Sequence, residues 1–200
     1  MNIKTKTLIG VTAFVVLIAV AVFAYERLLT DENAPDNLVL ITEQDEIKSE
    51  PEEQYNQNET PRSIAPDFMV LDADNNEVRL SDFFGKPIVL NFWASWCPSC
   101  VAEMSAFESM YHEVGNEVHF VKVNLLDGVR ETREGVETFM LELDLTFSVY
   151  FDTTGEAANA YRVRGIPITF FINAEGEMVA WVQGAADEQT LRNGIEMARE

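Results

Sequence analysis

The sequence predicts an α/β fold: a central mixed β-sheet flanked by helices, an extra β-hairpin in front of it, and an apolar transmembrane helix at the N-terminus. Three observations carry this. From residue 64 onward, strand-like and helix-like patterns alternate as β-α-β-α-β-α-β-β-α, the order of a helix-covered sheet with a parallel portion. Ile88 to Trp93 is a continuous apolar run, which suits a strand buried on both faces. Leu8 to Tyr25 is an 18-residue run without a charge.

That run makes about 27 Å of helix, enough to span a bilayer core. Lys4 and Lys6 precede it, and Asp31, Glu32 and Asp36 follow it. The lysine bias puts residues 1–7 in the cytoplasm and everything after Tyr25 outside, as a single-pass signal-anchor of the cell membrane spanning residues 8–25. A cleaved signal peptide is the alternative: Val22-Phe23-Ala24 is a passable cleavage site, although the run exceeds a usual h-region. No cysteine stands near its end, which excludes a lipoprotein anchor. Either version exports the domain.

Residues 26–63 carry eleven acids against three bases, rich in Gln and Asn and poor in aromatics. Such a segment reads as a disordered acidic tether. The short apolar patch Leu38-Val39-Leu40-Ile41 is an exception that the sequence leaves unassigned. The whole chain has a net charge of −20, which argues against nucleic acid and against a polybasic membrane contact.

The folded domain is expected over residues 64–200. Phe68 to Leu71 and Val78 to Leu80 flank a polar Asp72 to Glu77 segment, a hairpin signature. Ser81-Asp82 opens a short helical turn. After the Ile88 to Trp93 strand, Val101, Met104, Phe107, Tyr111 and Val114 recur at helical spacing. Val118 to Leu125 reads as a strand, Val136 to Leu143 as an amphipathic helix, Phe147 to Phe151 as a strand and Gly155 to Tyr161 as a short helix. Ile168 to Ile172 and Met178 to Val182 form a second hairpin about Glu175-Gly176-Glu177. Asp187 caps a last helix carrying Leu191, Ile195 and Ala198.

Chemistry concentrates at one place. The two cysteines of the chain, Cys97 and Cys100, stand in Trp93-Ala94-Ser95-Trp96-Cys97-Pro98-Ser99-Cys100, between a strand and a helix. Disulfide exchange needs a thiolate, and a helix N-terminus favours that anion. Cys97 occupies this position as the exposed nucleophile. Pro98 suits the first helical turn, where its missing N–H costs nothing. Cys100 lies one turn on, shielded, and resolves the mixed disulfide. A structural staple is the bland alternative, but so short a loop constrains little chain entropy. A metal site would need further ligands, and only His112, His119 and carboxylates are on offer. The expected cofactor inventory is therefore none beyond the dithiol itself.

The segment Ile88 to Cys100 resembles the active-site strand and helix of the thioredoxin superfamily. The leading apolar segment, the front hairpin and the insert around Glu134 to Leu145 resemble more closely the TlpA/ResA group, relatives of the redoxin and AhpC/TSA proteins. The resemblance implies a thioredoxin-like fold and a membrane-anchored thiol-disulfide oxidoreductase facing outward. It also implies that Pro167, in Arg164-Gly165-Ile166-Pro167, forms a cis peptide beside the cysteines, with the Ile166 backbone pairing with an extended client. An ordinary strand-start proline is the alternative. Trp96 and Pro98 fall on the client-facing surface, while Trp93 reads as core.

One departure stands out. Thioredoxins place a buried Asp where this chain has Asn91, which cannot ionise. Glu103 matches an acidic position of the TlpA/ResA group and is expected to supply the acid–base function or to raise the thiol pKa by repulsion. A solvated helix-face carboxylate is the alternative. The two histidines read as structural.

The leading functional expectation is an enzyme of cell redox homeostasis that reduces or exchanges disulfides in exported proteins, with electrons from a membrane relay protein. The resemblance adds cytochrome c biogenesis as a client pathway. A disulfide-forming oxidase reverses the direction, and the Pro98-Ser99 pair does not decide between them. A peroxiredoxin-type peroxidase is discounted, because Leu90 and Ala94 stand where its Pro and Thr would be. A non-catalytic binding module is disfavoured by the intact C-x-x-C with its downstream proline.

Overall fold

A computed structural model describes residues 38–40 and 63–200. The proposed membrane segment and the rest of the acidic tether lie outside the described residues. Among the described residues, no helix is long and apolar enough to cross a membrane.

The strands are β1 (Leu38–Leu40), β2 (Met69–Leu71), β3 (Glu77–Arg79), β4 (Ile88–Trp93), β5 (His119–Asn124), β6 (Val149–Phe151), β7 (Ile168–Ile172) and β8 (Met178–Gln183). The helices are α1 (Pro98–Val114), α2 (Arg133–Glu142), α3 (Glu156–Ala160) and α4 (Glu188–Arg199), with a 3-10 turn at Leu80–Phe83. One mixed sheet holds all eight strands in the order β1-β8-β7-β4-β5-β6-β2-β3. β4, β5 and β6 run parallel, and β7 pairs antiparallel with β4.

The expected alternation is what forms, and its period places the chemistry. On β4, Ile88, Leu90 and Phe92 pack with Phe68, Leu80 and Tyr161 on one face of the sheet. Val89 and Trp93 pack on the other face against Met104 and Phe107 of α1. Asn91 shares that second face, since successive strand residues point to opposite sides. Lys122 stands opposite Asn91 in the β4–β5 register.

Local signals end the elements where the sequence places them. Asp72 Oδ1 accepts the amides of Asp74 and Asn76, both at 2.8 Å, closing the front hairpin. Asp187 Oδ1 accepts the Thr190 amide at 2.8 Å and caps α4. Gly194 lets α4 lie on the sheet: a Cβ there would stand 2.3 Å from the Phe171 ring.

Leu38–Leu40, from the patch that the sequence leaves unassigned, form a strand. β1 pairs antiparallel with β8, with Leu38 opposite Val182 and Leu40 opposite Ala180. It covers an edge of the sheet that β8 would otherwise present.

Candidate active site

Cys97 is the N-cap of α1. Its backbone is extended, at φ −88° and ψ 113°, and Pro98 takes the first helical position. The Cys100 amide donates to Cys97 Sγ at 3.3 Å. No acidic residue stands in the first turn of α1, so nothing there opposes an anion at the sulfur. Both cysteines are free thiols.

The nucleophile is less open than the sequence suggests. Cys97 is only 6% exposed, while Trp96 beside it is 40% exposed. The reason is the loop before β7. The Ile166–Pro167 peptide is cis, and the Cys97 thiol donates to the Ile166 carbonyl at 3.6 Å. That loop is held from β8: the Gln183 side-chain amide donates to Pro167 O at 2.9 Å and to Gly165 O at 3.2 Å. Gln183 carried no signal in the sequence, because only the β7–β8 pairing brings it there.

Cys100 is fully buried. Burial pushes its thiol well above the ordinary range, and the hydrogen bond with Cys97 adds to this. Its proton must therefore be removed by a group inside the fold. Glu103 lies one turn further along the same face of α1, and it is buried rather than solvated. Asn91 Nδ2 donates to Glu103 Oε1 at 2.9 Å and to Thr169 Oγ1 at 2.9 Å. The Ala186 amide donates to Glu103 Oε2 at 3.0 Å. Burial raises the Glu103 pKa, and Lys122 and the Ala186 amide pull it back in part.

Lys122 was missed in the sequence. Its Nζ stands 3.7 Å from Glu103 Oε1 and 3.5 Å from the Phe107 ring centroid, with no hydrogen-bond partner. Burial lowers its pKa to about 8, against the pull of Glu103. The signal was available: a lysine amid the apolar residues of Phe120-Val121-Lys122-Val123 faces the core if the strand is covered on both sides. A cleft of about 440 Å³ between α1 and the start of α4 is lined by Ala102, Glu103, Ala106 and Ala186. A larger cleft of about 780 Å³, between α2, β6 and the front hairpin, contains neither cysteine.

A second buried carboxylate supports the active-site turn. Glu131 is 1% exposed. It accepts from the Ser95 amide at 2.7 Å, the Ser95 hydroxyl at 2.8 Å and the Asn124 side-chain amide. Among the described residues, no cluster of three or more His, Cys, Asp or Glu is placed to hold a metal. His112 pairs with Glu108 on α1, and His119 stacks against Phe83, both away from the cysteines.

The chain is similar to known proteins. Residues 61–181 match the model of the AhpC/TSA family. The thiol-disulfide oxidoreductase ResA of Oceanobacillus iheyensis is 42% identical over 126 residues, which cover 60% of this chain and 64% of that protein, just under two thirds of its length. ResA of Bacillus subtilis is 34% identical over 138 residues, covering 68% of this chain and 75% of that one. The solved structure of StoA from Bacillus subtilis superposes with a TM-score of 0.57 at 28% identity, covering 66% of this chain and 97% of StoA. The exposed lipoprotein thioredoxin Etrx1 of Streptococcus pneumoniae gives the same TM-score of 0.57 and identity of 28%, covering 65% of this chain and 98% of Etrx1. The chain belongs to the AhpC/TSA family of the thioredoxin superfamily, among its ResA-like thiol-disulfide oxidoreductases.

Proposed function

We propose that this protein reduces or exchanges disulfides in exported proteins, held at the outer face of the cell membrane by the segment Leu8 to Tyr25. The observation that carries the chemistry is the pairing of Cys97, the N-cap of α1 beside the exposed Trp96, with a fully buried Cys100 whose amide points at the first sulfur.

The steps follow from that geometry. The Cys97 thiolate attacks one sulfur of a client disulfide; a Cys97–client disulfide forms and one client thiolate leaves. Cys100 then passes its proton to the Glu103 carboxylate and attacks Cys97 Sγ. The Cys97–Cys100 disulfide forms, and the second client thiolate leaves. The client gains two electrons and the protein loses two, which a membrane relay dithiol restores.

The reducing direction is the one that the ResA-like kinship suggests. Apocytochromes c are the client class that the family resemblance suggests.

The test is a Cys100→Ser variant of the full chain in native membranes. Client proteins should accumulate as mixed disulfides through Cys97, released by dithiothreitol and absent when Cys97 is also replaced. Absence of any Cys97-dependent adduct would sink the reading. Oxidised rather than reduced clients accumulating in cells that lack the protein supports the reductant direction; clients left as free thiols would reverse it.

A further inference from the structure

Most cations of the folded domain are occupied. Arg79 pairs with Asp67, Lys122 with Glu103, Arg192 with Glu113, and Arg199 with Glu117 and Glu196. Lys86 donates to the Asn116 carbonyl, and Arg133 to those of Asp72 and Ala73. Arg130 differs. Its guanidinium carbon lies 3.6 Å from the centroid of the Trp96 ring, and among the described residues its side chain forms no ion pair. Stacking uses the flat face of a guanidinium and leaves its edge of N–H donors free. Trp96 directly precedes Cys97, so this fork of donors stands beside the nucleophile.

The stack is built in rather than left to chance. Asp127 Oδ1 alone accepts the amides of Val129, Arg130 and Glu131, at 2.8, 2.7 and 2.9 Å. Glu131, next to Arg130, accepts both donors of Ser95, next to Trp96. Each member of the stack is thus pinned through its neighbour, and the two pins are bonded to each other. Arg164, two residues before Ile166 on the loop that meets Cys97, likewise forms no ion pair among the described residues.

We propose that Arg130, stacked on Trp96 and anchored by Glu131, is a specificity-determining residue that selects client segments carrying an Asp or Glu carboxylate close to the reacting cysteine. This rests on the Cys97 face being the exchange site. A carboxylate accepts two parallel N–H bonds from the free edge while the client backbone runs along the Ile166 loop. The net charge of −20 repels acidic segments at range. Salt screens that repulsion beyond about 8 Å, so the selection acts at contact.

The test uses the full chain and three disulfide peptides that differ only two residues from the cysteine, where they carry Glu, Gln or Lys. The wild-type protein should favour Glu over Gln by about fivefold in kcat/KM and place Lys last, as an exposed but preorganised ion pair predicts. Arg130→Gln should bring the Glu-to-Gln ratio to about one, and Arg130→Lys should restore part of it. No preference in the wild type overturns the proposal, and so does a ratio that survives Arg130→Gln. A merely structural Arg130 would lower all three peptides alike and leave the ratio unchanged, which also overturns it. The same peptides with Ser in place of Cys separate this from the exchange reading. If they bind in the order Glu, Gln, Lys while no cysteine peptide is turned over, carboxylate selection stands and the oxidoreductase reading falls.

Discussion

Lys122 Nζ lies 3.7 Å from Glu103 Oε1, and both side chains are closed off from solvent. Two ionisable groups in such a place stay charged only with each other's support. Burial raises the carboxyl and lowers the ammonium, and their attraction opposes both shifts. The pair therefore holds a carboxylate that can take the proton when Cys100 needs to lose one.

Glu103→Gln should slow the second step, attack of Cys100 on the mixed disulfide, by about 100-fold at pH 7, the usual size of a lost general base. The first step should change far less. Below its raised pKa Glu103 carries a proton and cannot take another. The wild-type rate of the second step should thus rise with pH along a limb lying above the ordinary glutamate range, and the variant should lack that limb. Stopped-flow traces with a fluorescent client peptide separate the two steps; an unchanged limb in the variant defeats the assignment.

Lys122→Met removes the cation that pulls the Glu103 pKa down, so the same limb should move to higher pH. Stability carries its own signature. The folded lysine titrates near pH 8, below its unfolded value. Between those values the unfolded chain binds a proton that the folded chain does not, and stability rises with pH. Lys122 thus contributes stability that is present above its unfolded pKa and lost as pH falls through 8. Urea midpoints measured from pH 8 to pH 10 should climb more in the wild type than in the variant.

Asn91→Asp sets a third ionisable group against Glu103. Like charges at this distance cannot both ionise cheaply. Both carboxyls would titrate high in the folded state, so their contribution is present at low pH and is lost as pH rises through those values. The variant should match the wild type near pH 4 and fall behind it by pH 8 in thermal melts. Equal pH profiles would show that Asn91 is placed for packing alone.

How much of this could be read beforehand differs by residue. The cysteines, Pro167 and every element of the folded domain announce themselves locally, through spacing, turn residues and period. Glu103 was visible as a position, but its burial was not. Helical spacing gives a face, and only the return of the chain at Ala186 closes that face over. Gln183, Glu131 and the Trp96–Arg130 stack depend on partners 16 to 36 residues away, which no local pattern reports. β1 was a short apolar patch without a partner until β8 supplied one.

Glu131→Ala should destabilise the domain by about 1–3 kcal/mol, since it leaves buried donors of Ser95 and Asn124 unpaired. Trp96 fluorescence should become more mobile in the same variant, because the turn that presents it loses its anchor. Full retention of both stability and Trp96 anisotropy would contradict the clamp.

Gln183→Leu frees the carbonyls of Gly165 and Pro167 while keeping side-chain bulk. The exchange rate with peptide disulfides should drop about tenfold through a poorer KM, with the reactivity of Cys97 toward small alkylating agents preserved. A loss shared equally by peptides and small reagents would move Gln183 from client positioning to support of the cysteine itself.

The alternation along β4 has a consequence for how this protein can fail. Val89, Asn91 and Trp93 serve the redox face, while Ile88, Leu90 and Phe92 fill the opposite core. A slip of one residue between β4 and β5 would trade the two sets and present Leu90 or Phe92 to Glu103. A misregistered chain would bury nearly as much oil and still carry both thiols, yet it would have no proton acceptor for Cys100. Catalytic competence is thus a reading of strand register, and a population of misfolded molecules would show itself first as clients stranded on Cys97.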